Sequence, residues 1–151
     1  MFSMKARTDA SMQRKVPCAN FISADYAATF LIAMSDRFSP GDDLIFQLES
    51  GFGLLRVIAI NETADGVIWH LMAYEELFPD CDSAERALAN PELLHVRKAH
   101  MALTNRAFER TPAARLGNRP VTAKEMNAYQ KWEEEGARVS DRSALLMLGL
   151  R

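Results

Sequence analysis

The residues of this chain whose types could do chemistry are its three histidines, its two cysteines and several bunched carboxylates. His95 and His100 lie in a stretch whose apolar spacing predicts a helix. Five residues of helix are about 140° of rotation, so the two rings point to different faces, and the HExxH zinc motif needs a spacing of about four. His100 falls on the apolar side of that helix, where a half-buried, hydrogen-bonded histidine is expected rather than a metal ligand. His70 follows Trp69 in an apolar run and reads as packing. The chain has no CxxC, and no cluster of His, Cys and carboxylates has metal-ligand spacing. Glu75, Glu76, Asp80 and Asp82 surround Phe78-Pro79. Such carboxylates do acid–base work only if burial drives their pKa values apart, and a solvated loop is the expectation here. The GxSxG elbow is absent. Gly51-Phe52-Gly53 lacks the third glycine and following helix of a dinucleotide cradle, and Walker A would need GKS or GKT. No catalytic residue, metal or cofactor is therefore assigned, and binding is expected ahead of catalysis.

The basic residues carry the binding signal. Over residues 94–120, Arg97, Lys98, Arg106, Arg110, Arg115 and Arg119 stand against Glu109 alone. On a helix, Lys98, Ala102, Arg106 and Arg110 share one face, and His95 joins it. Lys98, Arg106, Arg110, Arg115 and Arg119 are thus the candidate partner-binding residues. They suit an acidic protein surface or a phosphate backbone; the alternative is a solvated outer helix face. Interleaved aromatics would indicate single-stranded nucleic acid. Phe108 is the only one nearby, which tilts the reading toward a protein partner, with nucleic acid as the second reading.

Composition sets the frame. At 151 residues, with 48% hydrophobic and 25% charged residues and a formal charge of −2, the chain reads as one soluble globular domain. It is long enough to bury a core without a metal or disulfide staple. Its near-neutral charge excludes a global pull toward nucleic acid or anionic membrane. Cys18 and Cys81 are expected as two reduced thiols, and whether they pair is open, because spacing carries no geometry. The basic start is not followed by an apolar signal-peptide core. No apolar run approaches the roughly 20 residues of a membrane span. A cytoplasmic protein without membrane association is expected.

The elements that must position these residues are most legible in the middle. Residues 1–16 read as a flexible basic arm, with Lys5, Arg7, Arg14 and Lys15 against Asp9, ahead of a single domain over 17–151. Residues 19–34 fit a helix or a strand. Residues 44–49, 54–60 and 67–74 read as three strands, the second covered on both faces apart from Arg56. Their short connections allow only antiparallel pairing, and so few strands need further strands or helices to bury their faces. Helices are then predicted from Asp82 or Ser83 to about 89 and, with Asn90 as cap and Pro91 first, to Thr111. Leu93, Val96, His100, Leu103 and Ala107 form the apolar stripe of the second. Residues 113–120 read as a loop. Thr122 and Glu125 form a capping box for a helix ending near Gly136, and a last short helix or edge strand carries Leu145, Leu146, Leu148 and Leu150. The fold class is α+β: an antiparallel β-meander or small SH3-like barrel packed by C-terminal helices.

One run looks like a known family. Phe38-Ser39-Pro40-Gly41-Asp42-Asp43, the apolar strand after it, Gly51-Phe52-Gly53 and then Arg56-Val57 resemble the opening of the immunity-protein-26 family of bacterial polymorphic-toxin systems. The resemblance implies a protein that neutralises a co-encoded toxin by binding it. It covers about 20 residues and transfers no functional residue.

Overall fold

The computed structural model describes residues 38–136 and 138–150. The basic arm, Cys18 and the 19–34 segment lie outside the described residues. The chain is α+β, built on one five-stranded antiparallel sheet in the order β4-β3-β2-β1-β5. The strands are β1 (Asp42–Leu48), β2 (Gly51–Thr63), β3 (Gly66–Phe78), β4 (Val96–Thr104) and β5 (Ala113–Asn118). The helices are α1 (Cys81–Ala87), α2 (Asn105–Glu109), α3 (Ala123–Glu134) and α4 (Ala144–Leu148), with a 3-10 turn at Pro91–Leu93. The edge strands β4 and β5 do not pair with each other, so the meander stands and barrel closure is not seen.

The expected three strands are present and longer. The two strands the meander still needed come from segments read otherwise. Residues 96–104 are strand β4, not helix, with Trp69 opposite Leu103 and Leu71 opposite Met101. The stripe misled because Ala107 lies in α2, beyond the strand end, while Met101 and Leu103 alternate into the core as strand residues do. Residues 113–118 are strand β5, not loop; the return to β1 pairs Ala114 with Ile45. Gly51 and Gly53 belong to β2 rather than to the turn. A Cβ on Gly53 would come within 2.5 Å of the Phe46 ring, so the glycine is there to let that ring lie across the sheet.

Both sheet faces are covered. On one, Leu44, Phe46, Leu55, Val57, Trp69, Leu71, Met101 and Leu103 pack with Phe38 and with Phe108 of α2 and Leu148 of α4. On the other, Ile45, Leu54, Ile58, Met72 and Tyr74 pack with Ala84 of α1 and with Met126 and Tyr129 of α3. The β2–β3 and β3–β4 pairings carry register shifts, the mark of bulges, which raise local twist. Helix ends follow the residues at them. Asp80 caps α1, Thr104 caps α2 and Ser143 caps α4. Thr122 and Glu125 form the expected capping box of α3. Cys81 is disulfide-bonded, which corrects the expectation of reduced thiols. Among the described residues no helix is long and apolar enough to cross a membrane.

Candidate functional site

The β2 arginine noted as an exception to an apolar strand organises the most polar part of the interior. Arg56 is fully buried. Its Nη1 donates to the Gly41 carbonyl at 2.8 Å and to Asp43 Oδ1 at 3.2 Å. Its Nη2 donates to the Arg119 and Pro120 carbonyls, and its Nε to Glu125 Oε2 at 2.7 Å. Asp43 in turn accepts two bonds from Arg119, each 2.8 Å, and Arg119 Nη2 donates to the Tyr74 hydroxyl at 3.1 Å. One side chain thus ties β1, β2, the segment after β5 and the start of α3 together. Burial pushes the Glu125 carboxyl up, but the bonds from Arg56 and the Thr122 amide outweigh it and hold it below the usual range. Burial raises the Tyr74 hydroxyl against the opposing pull of Arg119. The Asp43 carboxylate holds Arg119 above its already high value.

Gly41 serves the same knot. Its φ of +94° suits glycine, and a Cβ there would meet the Arg119 carbonyl at 2.3 Å. Its amide donates to Val57 O at 2.7 Å. The Gly-Asp-Asp and Arg-Val residues of the quoted run are therefore joined in space and serve the fold.

Beside this network lies a half-open cleft of about 500 Å³. Met72 and Tyr74 of β3, Leu94, Val96 and Ala99 form much of its apolar lining. The 3-10 turn supplies Pro91 and Glu92, and α3 supplies Lys124, Glu125 and Ala128 together with its N-cap Thr122. Val96 of this lining is 51% exposed, and Leu93, which lies in the chain between the lining residues Glu92 and Leu94, is 73% exposed. The cleft is within the size range of ligand and anchor-residue pockets. Of its four ionic lining residues, Glu125 is paired with Arg56 and Arg119 with Asp43, while Glu92 and Lys124 lie in no salt bridge among the described residues. What it offers a partner is mainly apolar surface.

A second cluster lies under the other half of α3. His70 of β3 and His100 of β4 are hydrogen-bonded, Nδ1 to Nε2, at 3.0 Å. Tyr129 and Trp132 of α3 meet the His70 ring edge-on, with centroids 4.6 and 4.7 Å away. His70 is fully buried, and its Nε2 has no partner. Burial, then the neighbouring His100, lowers His70 to about 4; burial, then Lys98, lowers His100 to about 4. Sequence reasoning missed this pair because it put His100 on a helix. The strand brings it beside His70, two residues from Ala102, the ladder partner of His70. Among the described residues, no three His, Cys, Asp or Glu side chains are placed to hold a metal.

The five sequence-predicted partner residues are dispersed. Lys98 lies on β4. Arg106 lies beyond the strand end, in α2, and it pairs with Asp141. Arg110 donates to the Asp141 carbonyl at 3.1 Å. Arg115, on β5, stands 3.8 Å from buried Asp42. Arg119 alone reaches the cleft. The single basic helix face does not exist, because β4 is a strand. We expect the pair Arg106→Ala with Arg110→Ala to leave the salt slope of any nucleic-acid binding unchanged. A slope reduced by about two, one per cation removed, would restore a nucleic-acid interface there.

Comparison with protein-family models, with curated proteins and with solved structures found no match for this chain.

Proposed function

We propose that this chain is a non-catalytic binding protein that seats an apolar side chain of a protein partner in the cleft between β3, β4, the 3-10 turn and α3. The observation that carries this is the exposure of Val96 in the wall of an apolar cleft, with Leu93 exposed in the 3-10 turn whose Pro91 and Glu92 line it. Large apolar residues held in solvent around a concavity are how interface anchors are received. The resemblance of residues 38–57 to immunity-protein-26 proteins supports a toxin as that partner, because such proteins act by binding. A nucleic-acid role has less support, since Arg106 and Arg110 are engaged by Asp141. An enzyme has less still: Glu125 and Arg119 of the cleft are tied into fold-holding pairs, which leaves Glu92 and Lys124 as its remaining ionic side chains. Reduced thiols were one ground for placing the chain in the cytoplasm, and the disulfide at Cys81 removes that ground.

The test is capture of the partner from the native cell lysate, followed by reconstitution from the two purified proteins. Leu93→Asp with Val96→Asp puts two charges on exposed positions, so the fold is kept. It is expected to weaken the reconstituted complex at least about 100-fold, as loss of a hot-spot pair does. An unchanged affinity would move the interface elsewhere.

A further inference from the structure

Protonation of the His70–His100 pair, one ring buried and the other half-buried, would strike α3, which forms one wall of the cleft. We propose that His70 and His100 form an acid-operated latch: with both rings neutral α3 stays docked on the sheet, and acid frees α3 and dismantles the cleft wall it provides. The inference rests on the cleft being the binding site and concerns how that site is regulated.

The geometry makes α3 dependent on the pair. None of its residues is fully buried. Its C-terminal half rests Tyr129 and Trp132 on the two imidazoles, with the Trp132 ring 5.4 Å from His100. Its N-terminal half is held by Glu125 on Arg56. Its N-cap Thr122 and its residues Lys124, Glu125 and Ala128 line the cleft.

The pair has no room for a charge. In the 3.0 Å bond one imidazole donates and the other accepts. A proton added to His70 would leave an N–H with no acceptor, since Nε2 is buried without a partner. The charged groups near the pair give limited relief. Lys98, on β4, opposes charge on His100. Glu133 of α3 is bonded to the Tyr129 hydroxyl at 3.3 Å, and that hydroxyl also meets neutral Asn61 of β2. No salt bridge reaches either ring among the described residues.

The sign follows from linkage. Docked, each ring takes a proton only near pH 4; released into water, it takes one near 6.5. The undocked form therefore binds more protons between those values, and docking weakens as pH falls through that window. At pH 5 each histidine lowers the docking constant by up to about 30-fold. Above pH 6.5 the contribution is complete, and below pH 4 the loss has saturated.

Amide hydrogen exchange on the intact wild-type protein, corrected for intrinsic rates, reads this directly. Between pH 7.5 and pH 5, α3 is expected to lose protection by about 30-fold or more while β2 and β3 keep theirs. In His70→Asn with His100→Gln, which cannot charge, the α3 loss is expected to disappear. Protection of α3 that is unchanged in the wild type at pH 5, or that falls only together with the sheet, overturns the latch. The reconstituted complex at pH 7.5 is an independent readout. If Leu93 and Val96 prove to anchor the partner there while α3 stays protected at pH 5, the latch fails and the binding site stands.

Discussion

Trp69→Ala is expected to destabilise the protein by about 3–5 kcal/mol, the cost of removing a large aromatic from a closed core. Trp69 is fully buried in β3, between β2 and β4. Its ring lies 4.3 Å from Phe108 of α2 and 6.3 Å from Phe38. Its Nε1 donates to Asn105 Oδ1 at 2.8 Å, so alanine also strands the amide that positions the start of α2. The indole thus joins β3, the β4–β5 connection and the segment leading into β1. Urea denaturation followed by circular dichroism measures the change. A loss under about 1 kcal/mol would mean the site collapses freely and is not the keystone of this face.

Arg56→Leu is expected to cost about as much, roughly 3–5 kcal/mol, for a different reason. Leucine suits a buried strand, and replacing a whole buried ion network with apolar groups is often harmless. Removing one member is not. Asp43, only 2% exposed, would keep Arg119 but lose its second cation, and Glu125 would lose the Arg56 guanidinium. The Gly41, Arg119 and Pro120 carbonyls would lose the donors that knot β1 to the chain after β5. Arg56→Lys is not expected to rescue the loss, because one ammonium cannot span five acceptors spread around a planar fork. Equal stability of Arg56→Leu and wild type in urea would show that solvent already satisfies this network.

How much could be read from the sequence differs by segment for physical reasons. The first three strands were legible because β-branched runs are separated by glycine turns and by Asp65-Gly66, and the connections are too short for parallel crossovers. The capping box at Thr122 was legible because capping is local chemistry. Strand β4 was not. It is an edge strand with charged Arg97 and Lys98 on its exposed half, as edges are often protected. Its few apolar residues fit a helix's spacing as well as a strand's, and only the tertiary need of β3 for a partner decides between them. That error scattered the proposed basic face and hid the histidine pair at once. Arg56 was visible as an anomaly: a lone charge in a two-faced apolar strand must find partners. Asp43, thirteen residues away, and Glu125, sixty-nine away, could not be assigned to it without the fold. The disulfide at Cys81 was likewise beyond spacing, because bridging depends on Cβ geometry.

The binding assignment is most directly tested by hydrogen exchange on the purified chain alone and in complex with its captured partner at pH 7.5. The cleft predicts new protection over residues 91–99 and 122–128, with α2 and the Asp141 region unchanged. Protection confined to residues 105–110 and 138–142, with the cleft segments unaltered, would contradict it.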